Sequence, residues 1–501
     1  MLSASFFKGR FETWRLGTAC VVFLMLSVTA FAADVANVRD FGAKGDGSTD
    51  DTAAIQKAID SGAGVVVFPK GVYKLTHPLV VQLNRLGYTS LRGNGTAKLI
   101  MCGEGPAIRL VGTHFRSADP EGFKEQVWQK ERMPLVDGVA IEGAHPKAIG
   151  IEAVGTMQLI LTRIHIRRAW HGIHLVNNNR NVIISNCHIY HNRGVGIFYD
   201  NVNLHQSNIV GCHISYNGGG GIVSTAGNVR NIQISGCDLE SNMSPDQPPT
   251  ANILIDCRGS KYGTGEVAII GCTIQHNHRS SNSANIRIIG TSTEAEKSKD
   301  ADASSTHEGN VTICGNVLSD VQFNIHLKGC RGVAIAGNTV WKGYQYNLLV
   351  EDSSNIVVGA NSFDRNPRYF NAQDARNTVV FRNCRDCTIS GLHINSEWHS
   401  EAALLLEKCQ RMNITGCTIL DSDGVGLWLK NVQDSCVSGC LIRDARKKER
   451  LPSVRISNSS NILLTNNLLD CPPELQVVHN CWSRGNVWPG NSKAGKNAEK
   501  N

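Results

Sequence analysis

Two aspartates close short alternating segments, Gly196-Ile197-Phe198-Tyr199-Asp200 and Asn252-Ile253-Leu254-Ile255-Asp256. If the intervening Gly221-Ile222-Val223-Ser224 segment is a strand between them, their backbones lie two strand spacings apart, about 9–10 Å. An acid and a base that act on opposite sides of a bond, with a water between them, stand roughly 6.5–9.5 Å apart. Asp200 and Asp256 are therefore the candidate catalytic pair. Basic and aromatic residues share their register. With Ile173, Ile197, Ile222, Ile253, Ile286 and Ile325 pointing inward, the outward row is His174, Phe198, Val223, Leu254, Arg287 and His326. His171 and Arg193 precede two of these segments, so His171, His174, Arg193, Arg287 and His326 are candidates for holding a ligand. A second row, His188, His213, Asp238 and Thr273, runs beside Tyr190, Ser215, Glu240 and Gln275. Asp238 and Glu240 share one strand face about 7 Å apart, suited to acid–base work or cation binding.

A periodic frame positions these rows. Cys187, Cys212 and Cys237 follow one another at 25 residues and Cys272 after 35, each preceded by Asn or Gly. The frame resumes at Gly315-Asn316, Gly337-Asn338, Gly416-Cys417, Gly439-Cys440 and Asn466-Asn467. A repeat of this length marks a solenoid, in which each turn buries its apolar face against its neighbours. Between the cysteines the apolar pattern has period two, with β-branched residues and Asn/Gly turns, which describes short strands. The expected fold is all-β: a single-stranded parallel β-helix of about eleven or twelve rungs between residues 135 and 482. Asn192, Asn217, Asn242 and Asn277 are expected at turns, where Asn tolerates a left-handed backbone and its amide bonds along a ladder.

The cysteines fit the same frame. A thiol repeated at one position of successive rungs behaves as a small apolar core residue. Only Cys471 and Cys481, outside the frame, are expected to form a disulfide. Cys384 and Cys387 lack a second pair at zinc-site spacing, so no metal site is expected.

Residues 1–32 read as a signal peptide, with Lys8, Arg10 and Arg15 before an apolar run and Ala30-Phe31-Ala32 as a cleavage site. Export to the periplasm or outside the cell follows, with no stable membrane insertion. Removing three basic residues and Glu12 lowers the net charge from +7 to +5. So mild an excess on so long a chain argues against nucleic acid as a partner. The domain organisation is a β-helix over 33–482, in which 33–75 supply a cap and the first strands, and a disordered tail over 483–501. Thr52–Ser61 is an amphipathic helix, capped by Thr49, Asp50 or Asp51. Thr113–Asp137, with Phe115, Phe123 and Trp128, and the polar stretch Thr291–Glu308 are loops.

One stretch carries a family resemblance. Asn37-Val-Arg-Asp-Phe-Gly-Ala-Lys-Gly-Asp-Gly-Ser-Thr-Asp-Asp-Thr-Ala-Ala-Ile-Gln-Lys-Ala-Ile59, followed by Val65-Val-Val-Phe-Pro-Lys-Gly-Val-Tyr-Lys-Leu75, resembles the N-terminal signature of the pectate lyase superfamily. The likeness is to its rhamnogalacturonase/epimerase-like, pectate-lyase-3 type. It implies a right-handed helix, secretion, and processing of acidic or neutral polysaccharides by hydrolysis or elimination. His171-Gly172 keeps two residues of the Gly-His-Gly that precedes a strand in polygalacturonase-like enzymes. The Asn-Thr-Asp and Asp-Asp motifs have no counterpart at the expected rungs, and Asn285-Ile286-Arg287-Ile288 keeps at best the arginine of Arg-Ile-Lys.

The leading expectation is a monomeric glycoside hydrolase of an acidic glycan that needs no cofactor. A lyase or epimerase is the alternative, and a calcium ion belongs to the lyase form alone. A non-catalytic glycan-binding or surface β-helix is the third reading.

Overall fold

The computed structural model describes residues 34–117, 121–122, 124–291, 308–369, 373–446 and 451–490. The signal-peptide segment, Phe123, most of the polar stretch after Thr291 and the last eleven residues lie outside this set.

The strands pair in parallel, each coil with the next, along three tracks. On face A, Ile173 aligns with Ile197, Ile222, Ile253, Ile286 and Ile325. On face B, Ile184 aligns with Ile209, Ile234, Ile269 and Ile313. On face C, Ile189 aligns with Ile214, Leu239, Ile274 and Leu318. These columns are buried and form one continuous core along the axis. β-Branched side chains suit it, because their stiff χ1 packs well on a pleated surface. The face A register is the one the sequence predicts, residue for residue.

Corners are made by left-handed residues. Asn186, Gly211, Gly236 and Gly271 have φ of 53–63° and precede the buried Cys187, Cys212, Cys237 and Cys272. The repeating frame is thus a corner residue followed by a core thiol. Further along, Asn replaces Cys in the same column: Cys272 N–H donates to Asn316 Oδ1 at 2.9 Å, and the Asn316 amide to Asn338 Oδ1 at 3.0 Å. A longer asparagine ladder backs the turns into face A. Asn192, Asn217, Asn242, Asn252, Asn285, Asn324 and Asn347 pass Nδ2–H to Oδ1 at 2.7–2.9 Å.

Several expectations need correction. The left-handed residues at those turns are His191, Tyr216, Ser241 and His276, one position before the expected asparagines. Asn277 lies outside the ladder and caps its own turn, accepting from Arg279 N–H at 3.0 Å. No disulfide joins Cys471 to Cys481. Coiling begins well before residue 135, since Val35–Asn37 pairs with Val65–Val67 and that strand with Ser90–Arg92. It also runs past 482: the last strand is Glu474–Arg484, and Asn486 closes an asparagine column by accepting from Asn467 at 2.8 Å.

At the N-terminal end, helix α1 (Thr52–Asp60) buries Ile55, Ala58 and Ile59 over the open coil. The Asp50 carboxylate accepts from Thr52 N–H and Oγ–H, whereas the Asp51 carboxylate turns back to Lys44 and Gly45 N–H at 2.6 and 2.9 Å. Gly45 is left-handed, and a Cβ there would sit 3.0 Å from the Tyr73 ring. The residues that carry the family resemblance therefore build the cap. Among the described residues no helix is long and apolar enough to cross a membrane.

Candidate functional site

The interior is packed, so chemistry belongs to side chains projecting from the faces and to the turns beside them. On face A the outward column reads Arg109, Glu152, His174, Phe198, Val223, Leu254, Arg287, His326 and Leu349. Strand alternation forces these residues out once their isoleucine neighbours point in.

Its first part forms a charge relay. Arg109 Nε donates to Glu152 Oε1 at 2.7 Å. His174 Nδ1 lies 3.3 Å from Glu152 Oε2, an ion-pair contact without good hydrogen-bond geometry. His174 Nε2 and Asp200 Oδ2 are hydrogen-bonded at 3.0 Å. Burial works against charge on His174, but contacts with the two carboxylates outweigh it and raise its pKa. Glu152 is correspondingly held below the usual carboxylate range, first by His174 and then by Arg109. The His174 and Glu152 side chains are each 13% exposed and Asp200 is 43% exposed, so Asp200 is the member that meets solvent.

Aromatic rings wall this relay. His174 stacks on Phe198 with centroids 5.5 Å apart, and His171 packs 5.0 Å from Phe198 and 5.3 Å from the exposed Trp170. Burial, then the neighbouring His174, pushes His171 down to about 4. It is a neutral imidazole whose Nδ1 accepts from Val195 N–H at 3.1 Å, which leaves its proton on Nε2. Arg193 is anchored by donating to the carbonyls of His145 and Pro146 at 2.7 and 2.8 Å. Gly194 is required beneath it, because a Cβ there would strike Trp170 O and the His171 ring.

Asp256 sits two strands beyond Asp200, as the register predicts, but it is clamped. Arg258 Nε and Nη2 reach its two oxygens at 2.9 and 2.6 Å, and Arg258 N–H adds a third bond. Arg287 and His326 lie further along the column, with Arg287 four strand spacings, about 19 Å, from His174. Arg287 is only 9% exposed and packs 5.2 Å from the Phe323 ring. Its Nε donates to His326 Nδ1 at 3.0 Å, and His326 Nε2 donates to Glu351 at 3.1 Å. Among the described residues no carboxylate pairs with this guanidinium, and burial lowers its pKa to about 10. Asp238 and Glu240 project from face C, apart from all the others. There Asp238 lies 3.8 Å from His213, and Glu240 accepts from Tyr216 Oη at 3.1 Å.

Of the nine candidate residues, His171, His174 and Asp200 thus come together, Arg193 is held at a turn by the carbonyls of His145 and Pro146, Arg287 and His326 form a second patch, and the rest stand elsewhere. Sequence reasoning missed Arg109 and Glu152. Their segments, Ala107-Ile-Arg-Leu-Val111 and Gly150-Ile-Glu-Ala-Val154, show the same alternation, so extending the register upstream would have found them. It also missed Glu397, a fully buried carboxyl raised to about 7 by burial. Among the described residues no three His, Cys, Asp or Glu side chains converge as metal ligands.

The fold and its face A column define a right-handed parallel β-helix protein. Residues 35–265 match the family described as rhamnogalacturonase A/epimerase, pectate lyase-like, and residues 368–498 match the right-handed β-helix region. The chain is thus similar to pectate lyase-like proteins over residues 35–265 and carries the right-handed β-helix fold. Residues 261–402 also match the family of the periplasmic copper-binding protein NosD. Alginate lyase 7 of Azotobacter vinelandii is 59% identical over 44 residues, which are 8% of this chain and 5% of that protein. A probable glucan endo-1,3-β-glucosidase of Arthroderma benhamiae is 47% identical over 57 residues, 9% of this chain and 6% of that protein. The chain thus spans a very small part of the curated relatives it matches. Among solved structures, gene product 12 of bacteriophage phi29 is 14% identical with a TM-score of 0.47, over 90% of this chain and 57% of that one.

Proposed function

We propose that this protein is an exported, monomeric enzyme that modifies an acidic polysaccharide on face A. Its reaction removes the proton beside a uronate carboxylate, the first step of elimination and of epimerisation. The observation that carries this reading is the Glu152–His174–Asp200 relay. It presents one solvent-facing carboxylate, oriented by an imidazolium whose charge is fixed from both sides. Asp200 takes the proton, His174 and the anchored Arg193 offset the charge that develops on the uronate, and His171 donates from Nε2 to the sugar. Arg287 supports an anionic substrate. A guanidinium buried without a carboxylate partner leaves donors for a uronate bound at a further subsite.

Hydrolysis by Asp200 and Asp256 is the less favoured reading, because both Asp256 oxygens are engaged by Arg258. The names of the matched relatives, which include an alginate lyase and mannuronan C5-epimerases, agree with a uronate substrate.

A panel of polyuronates and neutral glucans tests the reading. Elimination yields an ultraviolet-absorbing unsaturated end, and epimerisation exchanges substrate hydrogen with solvent deuterium. New reducing ends with neither signal mean hydrolysis and overturn the proposal. Arg287→Ala is expected to raise KM on the uronate about tenfold or more, since a hydrogen bond to a charged group contributes about 1.5–3 kcal/mol.

A further inference from the structure

Face B carries a groove that takes no part in the relay. Its corner row is Gln158, Asn181, Gln206 and Asn231, and two residues on in the first two coils stand Ile160 and Ile183. In the next two coils the same position is Asn208 and Gln233, aligned with Ile183 in register. Side chains thus form a grid, two across and four coils long, with rows about 4.8 Å apart. The groove has a volume of about 560 Å³, within the roughly 300–1,000 Å³ of small-molecule sites. Six of the eight grid positions are carboxamides, and no ionisable side chain lines the space.

One observation separates this row from ordinary solvated corners: Asn181 Oδ1 is buried in the groove wall without a hydrogen-bond partner. The left-handed backbone of Gln158 and Gln206, with φ of 54° and 67°, is general to this corner, where Glu266 and Arg411 adopt it as well.

We infer that this groove binds an uncharged saccharide chain, lying along the helix axis. Carboxamides donate to and accept from hydroxyls at once, and the exposed Ile183, with Ile160 and Met133, offers an apolar platform to the C–H face of a ring. The lack of any lining charge selects against uronates, which distinguishes this site from face A. The same polymer's neutral segments, or a neutral neighbour of the substrate in its matrix, would anchor the enzyme here.

Calorimetric titration with neutral glucan and mannan hexaoses tests this on the full chain. Saturable binding is expected, unchanged at about 1 M salt, where charge interactions reach only about 3 Å. Asn208→Ala with Gln233→Ala is expected to weaken it at least tenfold, and Ile183→Ser alone severalfold; both are surface changes that circular dichroism can show to be folded. Asp200→Asn should leave it untouched, so failure of the face A reading and failure of this one are separable. The inference is overturned if no neutral hexaose binds, if only uronate oligomers bind, or if binding survives the double substitution. Self-association that Ile183→Glu abolishes, without saccharide binding, would also overturn it and mark the groove as a protein interface.

Discussion

His174 is held between two carboxylates, and this sets a pH window for the relay. Its raised pKa means that its pairing contributes fully below its ordinary value of 6.5 and is lost as pH rises through the folded value. Glu152 behaves oppositely: its lowered pKa gives a contribution present above 4.5 that is lost as pH falls through the depressed value. The relay is complete between those ordinary values, and a pH–rate profile should fall on both sides of that window. His174→Gln should remove the alkaline limb and lower kcat about 10²-fold or more, the range of positioned acid–base groups. Glu397 provides a separate test by stability. Its carboxyl, raised to about 7 in the fold, disfavours the folded state once the unfolded chain ionises above 4.5. Its contribution to stability should therefore decline between about pH 4.5 and 7, by on the order of 3 kcal/mol in total. The difference in thermal stability between Glu397→Gln and the wild type should grow in the variant's favour across this range; a difference independent of pH would contradict the assignment.

At the scale of the element, the coil is held by two kinds of column. Ile209 has no exposure, and Ile209→Ala should cost about 2–5 kcal/mol. Asn217 accepts from Asn192 Nδ2 at 2.8 Å and donates to Asn242 Oδ1 at 2.7 Å. Asn217→Ala leaves the buried Asn192 N–H and Nδ2–H without their acceptor, while Asn242 Oδ1 keeps the Asn217 N–H at 3.3 Å, for a cost of about 2–6 kcal/mol. Denaturant titration should rank it with the core substitution, although the group is polar. The face A register was legible because its alternation has period two and the Asn/Gly corners pin it; a one-residue slip would turn every isoleucine outward. The Arg258 clamp on Asp256 was not legible. It depends on a side chain folding back two residues, which period and spacing do not encode. Glu152 was missed for another reason: its strand precedes the cysteine frame that served as the ruler. Glu397 owes its burial to turns from neighbouring coils, a tertiary effect with no local signature.

For the whole molecule, the cysteines make the sharpest prediction. No cysteine among the described residues is in a disulfide, and the thiols of Cys257 and Cys330 are pushed up to about 12 by burial. A reducing agent should leave the thermal midpoint unchanged, and thiol reagents should label the core cysteines only after unfolding. The cap explains why the resemblance reveals fold more readily than chemistry. Asp50, Asp51, Gly45 and Tyr73 fasten the first coils, whereas the reactive groups are scattered along a column whose residues vary from coil to coil. The central claim is that Asp200, oriented by His174, is the proton-accepting group of a uronate-modifying enzyme. The most direct measurement compares the wild type with Asp200→Asn on polyuronates in deuterated water, reading unsaturated product and deuterium incorporation together. The account predicts at least one of these signals in the wild type and its fall by about 10²-fold or more in the variant. An Asp200→Asn enzyme that retains the wild-type rate would contradict it.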